Sequence, residues 1–493
     1  MLLIIILVIS LLLCLTSLVT NYIAIFPSPP GPFLARFTDL WRANQQYSGK
    51  LRSKLTTLHT KHGPVVRYGV RSISTSDPKA IDILYGSRAG FVTAESYQVL
   101  VGISNGKEVP SLVSTKDETR HGQLRRSVAS AFTIKGSQDY ETFIDSTIPE
   151  LLKAVRRSKR GKIDLPDLLM LYSMDSASRM AFSESLGCLE SGEDVGGSIA
   201  LIRDRLKHWG CWSSVPWLER LIYRNPLAMS KSKGRTPSAM VNTAAQKLKM
   251  RLASKEGVDG RDMLHKFIQA HHVNPDTIDI PGIVSLLMST ITGAGDTTAA
   301  TMTATIFYLI KNPAPLEKLR NELRNAGLSH DKLPPYTQAS KLPYLAAVIK
   351  ESMRLFPVQT WPLERLVPLG GINIAGHFIP AGTSVGIFVP SLHQNQEIFG
   401  TDVHSFRPER WLDSNIEKVK KMEQTFMGFS KGRRVCLGQH VAVMQMKKVI
   451  PALIMNFDLN FIDIEASLDA DMRPAVVSLR PLWVIAKERQ EEF

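Results

Sequence analysis

The segment Phe429-Ser430-Lys431-Gly432-Arg433-Arg434-Val435-Cys436-Leu437-Gly438 concentrates the most chemistry in this chain of 493 residues. A cysteine that ligates a metal must be deprotonated, screened from water and held by backbone amides that stabilise its charge. A turn containing Gly432 and Gly438 supplies amides aimed at one point and lets the backbone approach a flat cofactor closely. Phe429 can cover the sulfur of Cys436, and Arg434 can pair bidentately with a cofactor carboxylate. The competing reading is a buried structural cysteine beside a basic turn. No second Cys or His stands at zinc-finger spacing, which argues against a structural zinc site. Cys14, Cys188 and Cys211 are scattered too widely for a disulfide framework.

Helices must position these groups. The run His440 to Leu453 reads as a helix following the cysteine, with its amino-terminal dipole favouring an anion there. The longest helical pattern spans about Asp279 to Lys311, with Asp279 as N-cap and Pro281 in the first turn. Its interior carries Gly293-Ala294-Gly295-Asp296-Thr297-Thr298, a poor helix-forming patch with a buried acid, costing a few kcal/mol unless it serves a purpose. One such purpose is a helix crossing with a satisfied acid. Glu351 and Arg354 share a helical face at i,i+3 spacing. Short alternating stretches, Val65 to Val70 and Gly371 to Ala375, read as strands. No repeat, low-complexity segment or long linker interrupts residues 34–493, so one domain is expected, mainly α with small β-sheets (α+β).

The chain carries 60 Lys+Arg against 45 Asp+Glu, a net charge of +15, which suits an anionic membrane surface, an acidic protein or nucleic acid without choosing among them. Residues 1–26 do narrow the choice. No charge precedes Arg36, and the 24 residues from Leu2 to Ile25 would reach about 36 Å as a helix, enough to cross a bilayer core. The run lacks the basic start and small-residue cleavage site of a signal peptide. A retained transmembrane anchor is therefore expected over residues 1–26, with the following basic residues placing the body on the cytosolic side. Residues 27–33 read as a proline-rich strut between anchor and body.

The cysteine segment matches F-x-x-G-x-R-x-C-x-G and thereby resembles the haem-thiolate monooxygenases of the cytochrome P-450 superfamily. The resemblance implies that Cys436 is the axial ligand of haem b, with Phe429, Gly432, Arg434 and Gly438 around the cofactor. Phe406-Arg407-Pro408-Glu409-Arg410-Trp411 extends it, implying a buried ionic triad of Glu351, Arg354 and Arg410 that supports the haem loop. The glycine-rich helix patch is similar to the family's oxygen-activating segment, which gives Thr297 a proton-relay role with Asp296 in support. Ala294, counted by the resemblance among the cofactor-binding residues, stands where a second glycine is usual, and Gln445 where many relatives carry Glu. His121, Arg125 and Arg365, with Arg434, are the implied partners of the haem propionates. Ala181 to Gly187, Glu193 to Gly197, Val215 to Leu218, Lys341 to Leu345 and Pro362 to Arg365 resemble fungal pisatin demethylase-like enzymes.

These resemblances imply a monooxygenase of fungal secondary metabolism that inserts one oxygen atom from dioxygen into an apolar small molecule, a terpenoid being favoured. The lone Gly293-x-Gly295 lies within a helix, so no nucleotide-binding domain is read, and electrons are expected from NADPH through a separate reductase. The same resemblance admits cytochrome b5 as a further partner and nucleic acid as none. Lys431, Arg433, Lys447 and Lys448, with Arg126, are the expected docking face for an acidic flavoprotein. The expected location is the endoplasmic reticulum membrane. Expected pocket segments are Leu100 to Val113, Trp209 to Trp217, Leu287 to Thr298, Gln359 to Leu363 and Val476 to Leu479. The rival readings are a haem-thiolate isomerase or dehydratase that does not consume dioxygen, and a non-catalytic haem-binding membrane protein.

Overall fold

The computed structural model describes residues 29–86, 90–231, 238–253, 260–329 and 334–489, together with Ile9, Leu12, Leu15 and Thr16. Apart from those four positions, the expected anchor lies outside the described residues. Among the described residues no helix is long and apolar enough to cross a membrane.

Seven helices build the site: α1 (Glu118–Val128), α2 (Glu141–Arg157), α3 (Leu165–Phe182), α4 (Ser198–Trp212), α5 (Ile280–Lys311), α6 (Pro343–Leu355) and α7 (Gln439–Asn456). Helix α5 begins as its sequence dictates: the Asp279 carboxylate accepts the Gly282 amide at 2.8 Å, and Pro281 lies in the first turn. Its many threonines would be costly in an apolar interior without partners. Thr290, Thr297, Thr301, Thr303 and Thr305 each donate to the carbonyl four residues back, at 2.6–2.9 Å. Helix α3 is buried almost throughout and packs along α5, where Gly295 allows close approach. A Cβ on Gly295 would stand 3.3 Å from both the Met170 methyl and the Met174 sulfur.

A five-stranded sheet lies beside the helical core, with strands β1 (Val65–Gly69), β2 (Ser72–Thr75), β3 (Val92–Thr93), β4 (Leu363–Leu366) and β5 (Ser384–Ile387). They run in the order β1-β2-β5-β4-β3, with β2 and β5 parallel and the other pairs antiparallel. In register, Arg365 pairs with Val385 on one side and Thr93 on the other, so the sheet fixes the residue's height. The expected strands are present as β1 and as Ile372–Ile374. The described end of the proline-rich strut lies on β1: Pro30 O accepts the Arg67 amide at 2.8 Å, and a Cβ on Gly31 would come within 2.2 Å of Arg67 O.

Beneath the cysteine segment, Glu351, Arg354 and Arg410 are fully buried together. Glu351 Oε1 lies 2.8 Å from Arg354 Nη2 and 2.9 Å from Arg410 Nε, and its Oε2 accepts from Trp411 Nε1 at 2.9 Å. The remaining donors go to carbonyls, including His393, Val403 and Ser405 for Arg354 and Phe399 for Arg410, and Arg410 also pairs with the Asp402 carboxylate at 3.2 Å. Such a closed network is costly to break, because deleting one member strands a buried charge at about 3–5 kcal/mol. His393 joins this network to the cysteine segment. Its Nδ1 lies 3.3 Å from Arg354 O, and its Nε2 accepts the Met427 amide at 3.0 Å.

Candidate functional site

The cysteine segment folds back on itself: the Cys436 amide donates to Phe429 O at 2.9 Å, Ser430 N to Met427 O at 3.0 Å, and Val435 N to Gly432 O at 3.0 Å. Gly432 has φ of +72° and passes so close to Tyr85 that a Cβ would meet its carbonyl oxygen at 1.7 Å. Only glycine satisfies both demands. Gly438 differs, since nothing lies within 4 Å of a Cβ built there, and it borders a cavity of about 410 Å³.

That cavity is walled by the cysteine segment, α5, α1, β4 and the stretch around Val476, a size within the usual range of small-molecule sites. Of the expected residues, Cys436, Arg434, Phe429, Gly438, His121, Arg125, Arg365, Ala294 and Thr297 all line it. Gly293 lines it too and leaves room for a Cβ. The glycine patch in α5 therefore divides. Gly293, Ala294, Thr297 and Thr298 face the cavity, whereas Gly295 serves the crossing with α3.

Two expected site residues stand elsewhere. Gly432 does not line the cavity but seats the turn under Tyr85. Asp296 is buried but does not line the cavity either; one helical position before Thr297, its side chain turns toward Arg203 of α4, with Oδ1 4.0 Å from Nε. Burial pushes its carboxyl up to about 6, opposed by the Arg203 charge. The Thr297 hydroxyl donates to Gly293 O at 2.6 Å.

Arg125, Arg365, Arg434 and His121 share one cavity wall. Arg434 pairs with Glu118 at 2.7 Å and donates to Thr115 O at 2.6 Å. Arg365 donates to Glu364 O at 2.9 Å and lies over the Tyr85 ring. Arg125 makes no ion pair or side-chain hydrogen bond among the described residues. The cation surplus shows in His121, whose pKa falls to about 3 through burial first and then through Arg434, Arg125, Arg433 and Arg365. At the other pole, burial raises the Cys436 thiol, while the Gly438 amide and Arg125 pull it down. The surface of Cys436 is open, and that surface faces the cavity.

The donor set fits a haem. Among the described residues no three His, Cys, Asp or Glu side chains gather to hold a metal. A lone cysteine sulfur therefore suits a metal that brings its other ligands with it. Three arginines against one Glu118 suit a ligand carrying carboxylates.

The expected docking cluster is only partly a surface. Lys448 is fully buried between Glu141 at 2.5 Å and Asp145 at 2.7 Å, and Lys447 is buried with its Nζ on Ser340 O at 2.9 Å. Both are structural pins of α7. Arg433 and Arg126 are exposed and Lys431 is half-buried.

Of the expected pocket segments, Leu112, Val113, Trp209, Ser289, Thr290, Gln359, Trp361, Leu363 and Val476 reach the cavity, while Trp217 is exposed away from it. Sequence reading missed Thr93, Tyr97, Phe132 and Met180 in the wall, and Glu118 as the partner of Arg434. For Glu118 a signal existed in its i,i+3 spacing to His121; the others lie on segments distant in sequence with no motif of their own.

The chain's sequence matches the cytochrome P-450 family over residues 27–485. It is 33% identical over 442 residues to a cytochrome P-450 monooxygenase of Aspergillus terreus, covering 87% of this chain and 90% of that one. The monooxygenase pkfB of Emericella nidulans is 33% identical over 448 residues, with 88% and 86% covered. The monooxygenase mpaDE of Penicillium roqueforti is 32% identical over 449 residues, covering 88% of this chain but 52% of that longer protein. The chain belongs to the cytochrome P-450 family. It is an oxidoreductase of the monooxygenase type with haem as its cofactor.

Proposed function

We propose that this chain oxygenates an apolar small molecule, a terpenoid by preference, in fungal secondary metabolism, using haem held by Cys436 and electrons from NADPH delivered by a separate reductase. The observation that carries the reading is one cavity bordered by the Cys436 sulfur, three arginines and the Gly293–Thr298 face of α5. When bound, haem supplies dioxygen activation and transfer of one oxygen atom to a C–H bond, favoured by the electron-donating thiolate. The chain's own residues do the rest. Burial raises the Cys436 thiol, and the Gly438 amide and Arg125 offset part of that rise in favour of the thiolate. Arg125, Arg365 and Arg434 hold carboxylates, with His121 beside them in the cavity wall. Thr297 presents a hydroxyl at the cavity wall, and Asp296 stands behind it toward Arg203 as the proton store.

Residues 1–26 anchor the enzyme in the endoplasmic reticulum membrane with its body in the cytosol, supported by their mainly apolar, uncharged sequence and the basic residues after them. Deleting them should move the protein to the soluble fraction; continued sedimentation with membranes would sink the anchor. Arg433, Arg126 and Lys431 form what remains of the docking face. Charge reversal at Arg433 and Lys431 should weaken reductase-driven turnover more than peroxide-driven turnover, and equal losses would remove that role. The resemblance to pisatin demethylase-like enzymes supports specialised metabolism.

The decisive test is the absorption spectrum of the reduced, carbon-monoxide-bound protein beside Cys436→Ser. A red-shifted Soret band that the substitution abolishes is expected. A histidine-like band in folded wild-type protein overturns the assignment.

A further inference from the structure

The cavity wall is mostly aliphatic and aromatic, and some of its polar groups are already committed. Trp209 Nε1 donates to Ser96 O at 2.9 Å, and the Thr290 hydroxyl to Leu286 O at 2.9 Å. Among the described residues, three lining side chains keep an oxygen enclosed without a hydrogen-bond partner: Thr93, Gln445 and Gln359. Gln445 has the Met180 sulfur 3.9 Å from its Nε2, whereas the carboxamide of Gln359 is bare at both ends. Gln359 lines the cavity, its Oε1 is enclosed by protein without a hydrogen-bond donor, and its Nε2 has no protein partner among the described residues. An enclosed carboxamide oxygen left unpaired costs about 1–3 kcal/mol, and interiors rarely tolerate it.

The backbone around this amide is firmly held. Val477 N donates to Val358 O at 2.9 Å, Thr360 Oγ1 donates to Pro474 O at 2.7 Å, and Gln359 bridges Val476 between them. Beside it Trp361 meets Trp209 edge to face at 5.0 Å, and Tyr97 packs on Trp209 at 5.6 Å. The chain thus fixes the root of Gln359 against a rigid aromatic wall and leaves its amide unused.

We propose that Gln359 is a specificity-determining residue, hydrogen-bonding an oxygen function carried by an otherwise apolar substrate. Nε2 donates to a hydroxyl or carbonyl oxygen; turned over about its terminal bond, the same amide accepts from a hydroxyl through Oε1. The substrate therefore arrives already oxygenated, and a reaction that oxidises or hydrates a hydrocarbon precedes this one. This inference rests on the cavity being the haem and substrate chamber.

The test uses the full-length holoprotein and a panel of sesquiterpene alcohols, the matching ketones and their parent hydrocarbons, drawn from the cedrane, patchoulane and eudesmane series. Dissociation constants are read from tryptophan fluorescence and from the substrate-induced Soret shift. At least one oxygenated member should bind wild type about tenfold tighter than its hydrocarbon. Gln359→Met should cut that preference to about twofold while leaving hydrocarbon binding nearly unchanged. Gains for ketones as well as alcohols assign the contact to Nε2; gains for alcohols alone assign it to Oε1. A wild type with a normal thiolate spectrum and no preference, or a preference that survives in Gln359→Met, overturns the proposal. Loss of the thiolate spectrum in wild type would instead overturn the chamber itself, and the role of Gln359 with it.

Discussion

Asp296 and Thr297 are adjacent in sequence, yet a turn of about 100° per residue puts them on different sides of one helix. Thr297 meets the cavity, and Asp296 meets Arg203 behind it. Burial raises the Asp296 pKa to about 6 and Arg203 is the cation that holds it down. If the carboxylate form passes protons, turnover rises with pH through about 6. Removing the opposing cation stabilises the neutral acid, so Arg203→Ala should shift this acid limb to higher pH, and Asp296→Asn should abolish it. A pH profile of turnover in the three proteins checks this; an unmoved limb in Arg203→Ala removes Asp296 from the relay.

The cysteine turn shows how an element turns residue types into geometry. Gly432 and Gly438 look alike in the sequence, but one is fixed by packing and the other borders open space. Gly432→Ala forces a left-handed Ala and a collision with the Tyr85 carbonyl, a cost of about 3 kcal/mol from strain and overpacking together. Gly438→Ala has φ of −83° to accommodate it and no neighbour within 4 Å. Urea unfolding of the apoproteins should show the first loss and a change within about 0.5 kcal/mol for the second. Haem retention should fall in both, in the second because the added methyl enters the cofactor's space. Equal stability losses would contradict this division. The motif itself was plain in sequence; which glycine serves which purpose was not, because Tyr85 comes from a segment about 350 residues away.

At the scale of the molecule, buried neutral histidines couple folding to pH. His59 lies between Gly63 O and Ser74 Oγ, and burial lowers its pKa to about 4; His393 is lowered to about 3, again mainly by burial. An unfolded histidine titrates near 6.5, so below that pH the unfolded chain binds protons the folded chain refuses. Stability therefore falls as pH drops from about 6.5 toward 4, and each such histidine removes about 2 kcal/mol between pH 7.5 and 5. Replacing His59 with Gln should shrink the measured loss over that interval by about that amount. The same loss in wild type and variant would show that His59 does not resist protonation.

Local pattern alone determined much of this protein. The apolar periodicity of α5 with its Asp279 cap, the helix after Cys436, the strand at Val65–Gly69 and the cysteine motif are all short-range features, set by caps, glycines and spacing within one segment. The ionic triad was legible only through resemblance, since Glu-x-x-Arg is common; the fold supplies Arg410 from 56 residues beyond Arg354. Tertiary structure alone decided which charges are surface and which are core. Lys447 and Lys448 sit close to Cys436 in sequence, yet the facing acids of α2 draw Lys448 into the interior and Ser340 holds Lys447. It also decided that Asp296 faces Arg203 and that Gln359 keeps an idle amide beside two tryptophans. Whether a polar group is satisfied depends on partners brought from distant segments, and no sequence window contains them.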